Sequence, residues 1–135
     1  MSGPMSAPHF ERARLWWGMG WALVALVIFF SLEPKPPEVP GDPGNWSGHL
    51  IAYGTLAAWF TRLLYARRSR FLALGLLVSM GVVLEFLQGM TGYRTYDPLD
   101  MLANSCGVLL GLALAPPRLP NGLPTLERWL RRVTG

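Results

Sequence analysis

Residues 71–88 read FLALGLLVSMGVVLEFLQ, an apolar run that carries one charge, Glu85, near its end. An ionised side chain in hydrocarbon costs several kcal/mol unless it is paired or hydrated, so an acid in this setting marks a functional-site hypothesis. Three more runs have the same character. Residues 15–32, LWWGMGWALVALVIFFSL, and residues 101–117 hold no charge. Residues 46–61 hold only His49 as a group that charges near neutral pH, and residues 63–66 extend that run past Arg62. A spanning helix needs about 20 residues, with a range of about 17–25, and all four runs meet it. A soluble bundle would carry a polar face along each helix; here polarity gathers at helix ends. The expectation is an all-α polytopic membrane protein with four transmembrane helices. The first run is longer than a signal-peptide core and no small-x-small cleavage site follows it, so it is read as a span.

At 135 residues, 51% hydrophobic and 15% charged, the chain fits one domain. The expected organisation is a disordered segment at 1–12, a four-helix transmembrane domain at 13–117 and a basic tail at 118–135. Arg12, Arg14, Arg62, Arg67, Arg68, Arg70, Arg118, Arg128, Arg131 and Arg132 all fall on one side, leaving Lys35 and Arg94 on the other. Basic residues stay cytoplasmic, which predicts a multi-pass protein of the plasma (inner) membrane with both termini inside. The pI near 9.8 then reports topology and attraction to anionic lipid, and nucleic acid is not an expected partner.

The connections agree. Residues 33–45 hold five prolines and two glycines, which excludes a helix there. The turn between the second and third helices is placed around Ser69, and Pro116, Pro117 and Pro120 are expected to end the fourth helix. The tail, TLERWLRRVTG, predicts a short amphipathic helix capped by Thr125, with Leu126, Trp129, Leu130 and Val133 on one face; a frayed tail is the competing reading. Trp16, Trp17, Trp21, Trp46, Tyr93 and Tyr96 are assigned to interfacial belts. Cys106, the sole cysteine, excludes an intrachain disulfide and is read as a small filler inside the bundle.

Helical spacing orders the polar residues into stripes. His49, Tyr53 and Ala57 share one on the second helix. Gly81, Glu85 and Gln88 share one on the third, and Asp100, Asn104, Gly107 and Gly111 one on the fourth. The last contains GVLLG, a small-xxx-small pattern that lets backbones approach and serves intrachain packing or a homo-oligomer through Gly107 and Gly111 equally. Arg94 and Asp97 lie in the loop above. Asp97 suits a cap for the fourth helix with Pro98 at its first position, and both Asp97 and Asp100 suit a helix N-terminus.

GHLIAYGTLA, LEFLQ and GYRTYDPLDMLANSCGVLLG, taken in order, resemble the VanZ-like membrane proteins over roughly residues 15–115. That family shows His–x3–Tyr, then Glu–x2–Gln, then Arg–x2–Asp–x2–Asp–x3–Asn–x2–Gly–x3–Gly. Those positions here are His49, Tyr53, Glu85, Gln88, Arg94, Asp97, Asp100, Asn104, Gly107 and Gly111. The family often has Asp-Lys starting four residues before the His, where this chain has Asn45-Trp46. The resemblance implies a fold, a membrane location and a polar cluster. Its namesake is linked to tolerance of a glycopeptide antibiotic, and that property is not carried over to this chain.

Three functions compete. The first is a binding site for an envelope lipid or glycolipid headgroup, with Arg94 on a phosphate or carboxylate. His49, Tyr53, Glu85, Gln88, Asp97, Asp100 and Asn104 would surround the rest of the headgroup. The second is an enzyme on a lipid-linked substrate, with His49, Glu85 or Asp100 as acid or base. No cofactor is expected; a metal variant would use His49, Glu85 and Asp97 or Asp100. The third is structural, with Arg94 paired to Asp97, Asp100 or Glu85. Membrane lipids are the expected partners, and no protein partner is indicated.

Overall fold

The computed structural model describes residues 8–35, 40–42 and 44–135. The expected disorder at 1–7, and residues 36–39 and 43 of the proline-rich connection, lie outside the described residues. The described chain is all-helical, with no strand: α1 Ala13–Leu32, α2 Trp46–Leu63, α3 Arg67–Met90, α4 Pro98–Ala113 and α5 Leu123–Thr134. Two of these, α1 and α3, are long and apolar enough to cross a membrane, which points to a membrane location; α4 is a shorter apolar helix.

Boundaries follow local chemistry. The C-cap of α1, Glu33, turns extended just before Pro34, which cannot continue a helix. α2 starts after Asn45 at φ +52°. Asp42 supports that start from the preceding loop: its Oδ2 accepts from the Ser47 amide at 2.7 Å and the Ser47 hydroxyl at 2.6 Å. These two bonds to Ser47 hold the Asp42 carboxyl below its ordinary pKa. Asp97 caps α4 as the sequence predicts, with its Oδ1 2.9 Å from the Leu99 amide and Pro98 in the first turn. The turn between α2 and α3 falls at residues 64–66, and Ser69 lies inside α3. Likewise α4 ends at Ala113, ahead of the prolines assigned to stop it.

The helices run up and down. α2 is central: it packs on α1, α3 and most extensively on α4. Its Tyr53, Leu56, Ala57 and Phe60 form the core with Leu74 and Leu77 of α3 and Val108 of α4. The α2–α4 seam is backbone on backbone. A Cβ on Gly107 would meet the Leu50 carbonyl oxygen at 2.5 Å, and one on Gly111 would meet Ala57 Cβ at 2.5 Å and Gly54 O at 2.6 Å. The glycine face that the sequence left open between two uses is therefore filled by α2 of the same chain. Outside this seam the bundle exposes large apolar side chains on every long helix, among them Phe29, Ile51, Leu72, Leu76, Val83, Leu102 and Leu109.

At one end, the C-terminus of α1 meets the N-terminus of α2, the C-terminus of α3 and the N-terminus of α4. At the other, Arg70 ties three chain ends together, donating to the carbonyls of Thr61, Leu64 and Pro116 at 2.5–2.7 Å. α5 docks there as well. Its start is set by Asn121, whose Oδ1 accepts from the Leu123 amide, with Gly122 at the N-cap. The cap thus falls three residues before the expected Thr125. The buried Glu127 anchors it, accepting from the Arg12 amide at 2.6 Å and from Trp16 Nε1 at 3.3 Å. That places a carboxylate on the orphan N–H groups of α1, where negative charge is favoured. Trp16 is accordingly buried (1% exposed) against Trp59, not at the surface as a belt residue. Cys106 is exposed on α4: it sits two residues from buried Asn104, about 200° round the helix.

Candidate functional site

The polar row converges as two linked groups at one end of the bundle. In the first, His49 of α2 meets α4. Its Nδ1 lies 2.9 Å from Asn104 Oδ1 and its Nε2 lies 3.5 Å from Asp100 Oδ2. With Asn104 Oδ1 as acceptor, Nδ1 carries the hydrogen, so the Nε2–Asp100 contact calls for a proton between the two. In the second group, Glu85 of α3 is buried (1% exposed) and its Oε1 accepts from the Asp97 amide at 2.7 Å. The capping residue of α4 is thus fixed to α3 by its own backbone.

Arg94 does not form the ion pair that the structural reading gives it. Among the described residues it pairs with no acid; its Nη1 reaches the carbonyls of Ser31 and Glu33 at 3.2 Å and Phe30 at 3.5 Å. Gln88 Nε2 donates to Ser31 O at 2.6 Å, and the Tyr93 hydroxyl donates to Leu32 O at 2.8 Å. The last carbonyls of a helix have no partner within it and carry partial negative charge. Three side chains from the α3 end and the loop after it satisfy those of α1. Arg94 Nε and Nη2 make no hydrogen bond among the described residues, so three of its five N–H donors stay available.

These residues frame a cavity of 280 Å³ between α1 and α2. Arg94, Gln88, His49 and Tyr53 line its polar end; Leu23, Val27, Ala52 and Leu56 line the rest. The α1 wall runs from Ser31 to Leu23 and the α2 wall from Gly48 to Leu56, each about 12 Å at 1.5 Å per residue. Two residues of this lining carry a side-chain oxygen that is shut off from solvent and has no hydrogen-bond partner among the described residues: the Tyr53 hydroxyl and Gln88 Oε1. A buried unsatisfied polar group costs about 1–3 kcal/mol, so both weaken the packing of the bundle. Asp100 Oδ1 is also unsatisfied, but Asp100 lies off this lining.

No protein-family model, curated protein or solved structure matches the chain.

The site therefore rests on its own residues. Of the eight expected site residues, four line the cavity: His49, Tyr53, Gln88 and Arg94. Asp100 and Asn104 hold His49 from behind, and Glu85 and Asp97 fix the end of α4. Both ring nitrogens of His49 are engaged, so none is free to take a proton from a bound molecule. Among the described residues no three of His, Cys, Asp or Glu converge to hold an ion, because Glu85 turns to the Asp97 amide while Asp100 faces His49. The sequence reading missed Tyr93 as a capping residue and the α1 face from Leu23 to Phe30 as a cavity wall.

Proposed function

We propose that this chain is a VanZ-like envelope membrane protein whose cavity binds the headgroup of an anionic envelope lipid or glycolipid, with one hydrocarbon chain running between α1 and α2. All four long helices cross the membrane, with both termini cytoplasmic and the cavity end outside. The observation that carries the reading is the cavity itself, polar at one end and apolar along the rest. Arg94 supplies unused N–H donors for a phosphate or carboxylate, and the α1–α2 groove supplies an apolar channel. Small-molecule sites have this composition, mostly apolar with a few placed polar groups.

Four crossings are supported by exposed apolar side chains on α2 and α4 as well as on α1 and α3, since soluble monomers rarely expose contiguous apolar patches of this extent. α2 is less apolar in composition, but its His49 and Tyr53 face the bundle. The segregation of arginines to one end supports the orientation.

A structural reading has its own support: Arg94, Glu85 and His49 each hold a helix end. It leaves the open N–H donors of Arg94 without a purpose. The test is lipid co-purification, read by mass spectrometry of extracts from detergent-purified wild type and Arg94→Gln. A headgroup site requires an anionic amphiphile in the wild type that is depleted in the variant; equal recovery from both leaves only the structural role.

A further inference from the structure

The opposite end of the bundle carries a second cavity, of 380 Å³, lined by Tyr65, Arg67, Arg70, Phe71, Leu112 and the stretch from Ala115 to Arg118. We infer that this cavity binds the phosphodiester headgroup of an anionic phospholipid from the inner leaflet. The inference rests on the proposed membrane orientation but not on the outer cavity.

Three arginines line the space and no carboxylate does. They are not equivalent. Arg70 is a fixed wall: all three of its side-chain nitrogens are bonded to carbonyls, and its guanidinium lies 5.2 Å from the centre of the Tyr65 ring. Arg67 and Arg118 are exposed, and their side chains make no hydrogen bond or ion pair among the described residues. Arg67 is held over the Phe71 ring at 5.7 Å, which orders its stem while leaving its N–H edge open. The guanidinium fork matches two phosphate oxygens at once. The cavity also abuts the start of α3, where Ala66 makes no side-chain cap bond, so the first amides of the helix add partial positive charge.

The rest of the lining suits the body of a lipid. Phe71 and Leu112 continue the cavity onto the exposed apolar surface of α3, where Leu72 and Leu76 follow. A phosphate at Arg67 and Arg118 would thus leave its acyl chains along that surface. Basic pockets between membrane helices on the cytoplasmic side take anionic headgroups by this logic.

The experiment titrates the detergent-purified full chain with phosphatidylglycerol or phosphatidylcholine and reads bound lipid by native mass spectrometry. It compares wild type, the Arg67→Gln/Arg118→Gln pair, and an Arg128→Gln/Arg132→Gln pair that removes equal charge from α5. Wild type is expected to prefer phosphatidylglycerol, and the cavity pair to lose roughly a hundred-fold in affinity for it, at about ten-fold for each charge-assisted hydrogen bond given up. The α5 pair is expected to keep wild-type affinity, and an Arg67→Lys/Arg118→Lys pair to regain part of the loss, which guards against misfolding of the glutamine pair. Equal losses in the two glutamine pairs, or equal uptake of the two lipids by wild type, overturn the site. Competition by inorganic phosphate as effective as by the lipid overturns the phospholipid as its occupant. A chain that stays monodisperse after detergent is withdrawn contradicts the membrane reading itself; one that needs detergent yet shows no headgroup preference contradicts only this cavity.

Discussion

Gly111→Ala adds one methyl group where α2 and α4 touch. The new Cβ would lie 2.5 Å from Ala57 Cβ, 2.6 Å from Gly54 O and 2.8 Å from Ala58 N. Carbon atoms in comfortable contact sit about 3.5–4.0 Å apart, so the helices must separate by about 1 Å. Two of the three obstructing atoms are backbone, so no side-chain rotation relieves the clash. Overpacking of this kind costs about 1–3 kcal/mol, and the helical preference of Ala over Gly returns about 0.5–1 kcal/mol. The net expectation is a destabilisation of about 1–2 kcal/mol, a fall of several degrees in Tm for a domain of this size. Gly75→Ala is the matched comparison, because a Cβ there meets nothing within 4 Å; it keeps only the helical gain and is expected to hold or raise Tm. The assay is thermal unfolding of the three proteins in one detergent. A Gly111→Ala midpoint at or above wild type would refute the α2–α4 seam, and with it the placement of His49 against Asn104.

Glu127→Ala strands the Arg12 amide and the Trp16 indole N–H, at about 1–3 kcal/mol for a buried group left unpaired; limited trypsinolysis is expected to cleave at Arg128 and Arg131 faster than in wild type. Asp97→Ala removes the cap of α4 and is expected to lower stability by about 1 kcal/mol while lipid retention by the folded protein stays at the wild-type level. Ser47→Ala removes one of the bonds that hold the Asp42 pKa down, so Asp42 is expected to titrate at higher pH in the variant, read by NMR of its carboxyl carbon. Because the folded pKa is depressed, the contribution of Asp42 is present above its unfolded pKa of about 3.9. It is lost as pH falls through the lower folded value.

The stripes were legible because they need only helical periodicity. Asp100, Asn104, Gly107 and Gly111 share the buried face of α4 as their spacing demands, and Asp97 caps α4 with Pro98 behind it. The partners of Arg94 and Gln88 could not be read because they are carbonyls of α1, and a backbone group has no letter in a sequence. The capping role of Tyr93 escaped for the same reason. Trp16 looked interfacial while its partner, Glu127, lay 111 positions away, beyond any local pattern. Cys106 was placed inside by proximity to Asn104 and Gly107, although a helix turns about 100° per residue and carries it to the far side. The apolar wall of the cavity stayed hidden because α1 reads as apolar on every face, so nothing singles out Leu23 and Val27 over Leu26 and Phe29.

Filling the cavity between α1 and α2 tests its role without touching a polar residue. Ala52→Phe projects a ring from α2 into the apolar half, away from Arg94, Gln88 and His49, and the readout is native mass spectrometry of wild type and variant in a mild detergent. A lipid-headgroup site requires an anionic amphiphile bound near-stoichiometrically to the wild type and absent from a variant that remains folded. Equal occupancy in the two proteins, or no bound amphiphile in the wild type, would contradict it.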